Sequence, residues 1–161
     1  MLRLEKSSYL KLIFFISFFA VISAYFIEYV LGHHPCKLCL IERIPYVLSI
    51  VILSINYKFK KIEKFLSLLL ILIFTFSLII SVYHFGIEQG LFQESMICNI
   101  ENNANILSKE QLLQELQKKT VSCKDVTFRV FGFSLSTINI FLSLLLIILS
   151  IKIFTFYEKI K

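Results

Sequence analysis

The sequence has no tryptophan, only four glycines and two prolines, and few charges, with 17% of residues being Asp, Glu, Lys or Arg. Each shortage excludes something. A soluble globule normally carries about a quarter charged residues. Here 57% of the side chains are hydrophobic and the mean hydropathy is +0.79. That apolar surplus must face something other than water, and a bilayer is the obvious candidate. With so little glycine, no stretch offers a phosphate-cradling loop, and Gly86 and Gly90 in "GIEQG" read as the end of a helix. Histidine is also sparse. His33 and His34 are adjacent, so they point different ways, and they lack the H-x₃₋₅-H spacing of a zinc site. No metal is expected.

What the chain does have is long apolar runs: Leu12 to Leu31, Ile44 to Tyr57, Phe65 to Phe85 and Phe131 to Ile151. A spanning helix needs about 20 mostly apolar residues. The second run reaches that length if it begins near Leu40 and carries Glu42 and Arg43 at its rim, where snorkelling makes charge tolerable. The first run is too long for the apolar region of a cleaved signal peptide. The expected fold is all-α, an integral membrane antiparallel four-helix bundle forming a single transmembrane domain over residues 1–161. Its helices are expected at about 12–31, 40–57, 65–85 and 131–151, with outward loops at about 32–39 and 86–130.

The net charge of +6 is distributed by side. The N-terminus, the Lys58–Lys64 turn and the C-terminus together carry ten basic residues against Glu5, Glu63 and Glu158. The opposite side carries seven basic and eight acidic residues. By the positive-inside rule both termini are cytoplasmic. A one-sided pattern of this kind is explained by membrane topology and requires no nucleic-acid partner.

All four cysteines, Cys36, Cys39, Cys98 and Cys123, then fall in the two outward loops. An even count permits three pairings, and an outward bacterial face is an oxidising place. In "HHPCKLCLIERIPY", Gly32 and Pro35 end the first helix and the second starts at or just after Cys36. Thiols at a helix N-terminus feel the positive end of the dipole, which raises their thiolate fraction. Helical spacing places Cys36, Cys39 and Arg43 on one face. Three readings compete for this stretch: a helix start with incidental thiols, a structural zinc site, and a redox dithiol. The position at an outward membrane rim with an in-register arginine favours the dithiol. His84, at the outward end of helix three, is placed to hydrogen-bond a cofactor carbonyl or to act as a satisfied interfacial histidine. Glu42 is placed to pair with Arg43 or another helix, and Glu88 reads as a surface charge.

The long loop contains "SKEQLLQELQKK". Ser108 with Gln111 fits a capping box, and Leu112, Leu113 and Leu116 form one apolar stripe. This predicts a short amphipathic helix in the second outward loop, packed on the loop or lying in the membrane interface.

The sequence resembles the DsbB disulfide-bond formation proteins of the bacterial inner membrane. The resemblance rests on "CKLCLIER" for the family's C-x-x-C-x-x-E-R, on "YHFGIEQGLF" for Y-H-x-G-x-E, on the cysteine pair in the second outward loop, and on "FGFSLSTINI" opening helix four. It runs from about Tyr9 to Ile151. One departure is that many members carry Trp near the position of Ile138. The resemblance implies that a periplasmic DsbA-like thioredoxin-fold partner attacks a Cys98–Cys123 disulfide, with Cys98 taken into the mixed disulfide. Cys123 then exchanges with Cys36, and Cys39 passes two electrons to ubiquinone or menaquinone in the membrane, with Arg43 stabilising the thiolate. The contrasting expectation is a non-enzymatic four-helix membrane protein stapled by structural disulfides.

Overall fold

The computed structural model describes residues 2–58, 63–93, 122–124, 128–130 and 132–159. Cys98 and the expected amphipathic helix from Ser108 lie outside the described residues. The architecture is all-α, with α1 (Leu2–Tyr29), α2 (Lys37–Lys58), α3 (Glu63–Glu88) and α4 (Leu135–Lys159). Each contains a segment long and apolar enough to cross a membrane: Ser8–Tyr29, Lys37–Asn56, Phe65–Glu88 and Leu135–Phe156. A small antiparallel hairpin, β1 (Arg129–Val130) and β2 (Phe133–Ser134), precedes α4. Consecutive helices are neighbours, α4 also touches α1, and the most extensive packing is between α3 and α4.

The helix ends follow from local chemistry. Helix α1 stops where Gly32 takes φ 71°, while the Val30 and His33 amides bond back to the Phe26 and Ile27 carbonyls at 2.9 and 3.2 Å. Helix α4 begins at Leu135, later than the apolar run suggests. Ser134 caps it, its Oγ accepting from the Thr137 amide at 3.3 Å, and Phe133 and Ser134 form the second strand of the hairpin instead. Helix α3 runs through Gly86 to Glu88. The Leu91 and Phe92 amides then turn back onto the Gly86 carbonyl at 2.8 and 3.2 Å. A Cβ at Gly86 would lie 2.2 Å from the Phe92 ring, which itself stacks on Tyr83 at 5.7 Å between centroids. Gly86 is there because the ring needs the space.

The outer surface is apolar. Phe15, Phe19, Phe65, Phe76, Phe141 and Ile148 are each more than half exposed. The interior is studded with serine: Ser17, Ser49, Ser67, Ser77, Ser81, Ser136, Ser143 and Ser150 are fully buried. Lipid removes the hydrophobic incentive for helices to associate, so close approach through small residues and interhelical hydrogen bonds replaces it. Ser49 Oγ donates to the Tyr46 carbonyl at 2.7 Å and shares a hydrogen bond with Ser17 of α1 at 3.0 Å. Ser77 of α3 and Ser143 of α4 share another at 3.0 Å. Across the bundle diagonal, the Tyr46 hydroxyl donates to Asn139 Oδ1, and Asn139 Nδ2 donates to Ser81 Oγ at 2.7 Å. Apolar layers centred on Ile13, Leu53, Leu70, Phe74, Leu146 and Ile153 fill the space around this polar spine. Replacing Asn139 by leucine removes both of these bonds, leaving Tyr46 with Ser143 at 3.3 Å and Ser81 with the Ser77 carbonyl at 2.8 Å. We expect this to cost about 1–2 kcal/mol, read as a lower midpoint of thermal aggregation in detergent. An unchanged midpoint would count against a structural role for the spine.

Candidate thiol site at one end of the bundle

The site forms where the α1–α2 loop meets the C-terminal end of α3. Pro35 enforces an extended entry, and Cys36 becomes the N-cap of α2. Its sulfur occupies the place usually taken by a serine or aspartate oxygen, accepting from the Cys39 amide at 3.2 Å. One helical turn brings Cys39 Sγ to 2.7 Å from Cys36 Sγ, and both thiols are free. Cys36 is buried, whereas Cys39 is partly open beside the outward-facing Leu40.

From α3, His84 reaches into this corner. Its Nε2 lies 3.5 Å from Cys36 Sγ and its Nδ1 lies 3.0 Å from Glu42 Oε1. All three side chains are nearly sealed from solvent. Glu88 is a fourth member, with Oε1 3.7 Å from His84 Nε2 and Oε2 accepting from Ser136 Oγ at 2.7 Å. The carboxylate of Glu88 is only 6% exposed, so it is no surface charge. Sequence spacing did not single it out, although its position four residues after His84 on one helix was the available signal.

The hydrogen bond from the Cys39 thiol, the hydrogen bond and charge of His84, and the Cys39 amide all favour the Cys36 thiolate. They outweigh burial and hold this thiol down at about 5. The arrangement is that of an activated nucleophile: a thiol, a histidine within reach, and a carboxylate orienting the histidine.

Arg43 takes a different direction from the one its spacing suggests. Its guanidinium turns to α1, where Nη1 donates to Glu28 Oε2 and Nη2 donates to the Ala24 carbonyl at 3.5 Å. The charge sits over the Tyr25 ring at 5.1 Å from its centroid. Glu42 accordingly pairs with His84 across to α3, and its neighbour Arg43 pairs with Glu28. In a partly buried pair, losing one partner leaves the other charge stranded. We expect Glu28→Ala to lower stability by about 1–3 kcal/mol, read as earlier thermal aggregation, with Glu28→Gln losing less. Equal stability of Glu28→Ala and the parent would contradict the pairing.

Cys123 approaches from the long segment between α3 and α4. Cys123 is disulfide-bonded and 2% exposed. It packs in one buried cluster with Cys36, Leu38 and Ile87, flanked by Cys39, Ile41 and Tyr83. His33 lies against Phe128 with ring centroids 4.9 Å apart, a second contact between the two loops. The three cysteines among the described residues, Cys36, Cys39 and Cys123, thus gather at one end of the bundle with His84 and Glu42.

A family model, "Disulfide bond formation protein DsbB", matches residues 6–153. A Rickettsia prowazekii (strain Madrid E) protein described as "Uncharacterized protein RP370" is 30% identical over 148 residues, spanning 89% of this chain and 84% of the relative. No solved structure matches. With four helices fit to cross a membrane and a thiol site at one end, the chain belongs to the DsbB family, multi-pass membrane oxidoreductases of disulfide-bond formation.

Proposed function

We propose that the chain reoxidises a periplasmic DsbA-like thioredoxin-fold protein and delivers the electrons to a membrane quinone, ubiquinone or menaquinone. Residues 1–161 act as one transmembrane domain of the bacterial inner membrane. The lysine distribution supports cytoplasmic termini and a periplasmic thiol site. The observation that carries the reading is the burial of disulfide-bonded Cys123 in one cluster with the N-cap thiol Cys36.

The steps balance as two thiol–disulfide exchanges. A thiolate of the reduced partner attacks Cys98 of the Cys98–Cys123 disulfide, and the second partner thiol resolves the mixed disulfide. The partner leaves oxidised, with Cys98 and Cys123 as thiols. Cys123 then attacks Cys36 of a Cys36–Cys39 disulfide, expelling the Cys39 thiolate, and Cys98 closes the loop disulfide again. Cys36 and Cys39 now hold the electron pair. His84, with Nδ1 hydrogen-bonded to Glu42, holds or returns the proton at the Cys36 sulfur.

The residues at the rim fit a quinone headgroup. Cys39 is partly open, Leu40 and Ile44 beside it are exposed, His84 lies 3.5 Å from Cys36 Sγ, and Arg43 follows one helical turn after Cys39. When bound, the quinone takes up two electrons and two protons. Cys39 would give up the electrons from the lipid-facing side, and His84 and Arg43 would hold the headgroup by hydrogen bond and positive charge. Arg43 is held for this by Glu28, Ala24 and Tyr25 of α1.

Thiol trapping of the full chain in membranes tests the reading. Adding a reduced thioredoxin-fold protein should convert the loop pair and then the Cys36–Cys39 pair from oxidised to alkylatable. Four cysteines that never change state would leave a protein with purely structural disulfides.

A further inference from the structure

We propose that the reduced Cys36–Cys39 pair and His84 together form a binding site for a thiophilic divalent cation, zinc above all, which holds the protein in its dithiol state. The sequence shows only half of the site, because His84 lies 45 or more positions after the two cysteines and His33 and His34 take no part. The fold assembles it: Cys36 Sγ, Cys39 Sγ and a His84 ring nitrogen all lie within 4.8 Å of one another.

The geometry suits tetrahedral zinc. Bond lengths of about 2.3 Å to sulfur and about 2.0 Å to nitrogen require sulfur–nitrogen edges of about 3.5 Å and sulfur–sulfur edges of about 3.7 Å. Cys36 Sγ and His84 Nε2 stand 3.5 Å apart, already at that edge. The two sulfurs, at 2.7 Å, need to part by about 1 Å, a small rotation of Cys39 about its first side-chain bond. His84 is oriented as a ligand histidine usually is, with Nδ1 bonded to a carboxylate, Glu42, at 3.0 Å, and Nε2 facing the thiols. Glu88 Oε1 lies 3.7 Å from Nε2 but outside the three-residue group, so it acts on the histidine and is not counted as a ligand.

Charge also favours the ion. Two thiolates neutralise a divalent cation, which suits a corner where the ligands are mostly buried. Thiolate and imidazole donors select zinc over magnesium or calcium. Binding displaces thiol protons and moves no electrons. Oxidation of the pair to a disulfide removes two electrons, leaves no thiolate and releases the ion. The site therefore exists in one redox state alone, and an ion seated there withholds the sulfurs from exchange. None of this depends on a quinone or a partner, so it stands or fails separately from the proposed reaction.

The test uses the purified full chain in detergent, reduced, desalted without oxygen and free of quinone and partner. Zinc is titrated against a chromophoric chelator, and cobalt(II) serves as the spectroscopic substitute. We expect one equivalent to be retained, with thiolate-to-cobalt charge-transfer absorption, and its release on oxidation with diamide. A Cys98→Ser/Cys123→Ser variant should keep the site. Glu42→Gln should weaken binding about 10- to 100-fold, and His84→Ala at least as much. If His84→Ala does not fold, protection of Cys36 and Cys39 from maleimide by zinc in the unaltered chain replaces it. The proposal is overturned by no retained metal, by loss of binding in the Cys98→Ser/Cys123→Ser variant, by unchanged affinity in both His84→Ala and Glu42→Gln, or by unprotected thiols.

Discussion

Cys39→Ala is expected to reduce quinone-linked oxidation of a reduced thioredoxin-fold donor to background, and Cys36→Ala to do the same for a different reason. Cys39 is the partly open thiol of the pair, with Leu40 and Ile44 exposed on the lipid-facing side next to it. Its removal takes away the sulfur from which electrons leave. Cys36 is the buried N-cap thiol packed with Cys123, so its removal cuts the exchange that feeds the pair. Trapping separates the two variants. In Cys36→Ala the loop disulfide should be reduced by the donor and remain reduced. In Cys39→Ala that also carries Cys98→Ser, a Cys36–Cys123 mixed disulfide should accumulate on mild oxidation, because neither thiol that could resolve it is left. Full-rate turnover of either variant with quinone as sole acceptor would end the account.

His84→Ala should move the pH profile of Cys36 upwards. In the intact site Cys36 is held at about 5, so its thiolate is present above that pH and is lost as pH falls through it. Alkylation of Cys36 by iodoacetamide should therefore be half-maximal near pH 5 and flat from about pH 6 upwards. Without His84, the Cys39 thiol and amide still lower the value but the histidine's hydrogen bond and charge are gone. The half-point should rise towards the ordinary thiol value, and the rate at pH 6 should fall at least about tenfold. Glu42→Gln, which keeps the ring bonded but removes the charge that orients it, should shift the profile less. A profile identical to the parent's in His84→Ala would show that His84 does not act on Cys36, whatever its effect on turnover.

Most of the architecture was legible because lipid imposes a simple pattern. Runs of about 20 apolar residues have few alternatives to spanning helices, and a small set of breakers, Gly32 and Pro35 among them, marks where they stop. The start of α2 at the first cysteine follows from Pro35 and from how well a thiolate serves as a cap. Helix α4 starts later than the apolar run alone indicates, because "FGFS" is apolar enough to extend it yet has Gly132 at φ 86° and Ser134 placed to cap. The site was legible only along one helix at a time. Cys36 and Cys39 show their relation by spacing, whereas His84 reaches them from α3 and no periodicity carries that distance. Arg43 illustrates the limit of helical phase. Its backbone position shares a face with the cysteines, but a long side chain with Glu28 and Tyr25 within reach on α1 turns to them. Glu88 looked exposed because it follows the apolar run, and it is buried because Ser136 of α4 and His84 close over it.

The most direct test is quinone reduction by the purified chain in detergent, with a reduced thioredoxin-fold protein as the sole electron donor. Loss of the quinone's ultraviolet absorption should proceed over many turnovers, with one disulfide formed in the donor per quinone consumed. No quinone consumption by a chain whose thiols exchange normally with the donor would contradict electron transfer from Cys39 to a lipid-borne carrier.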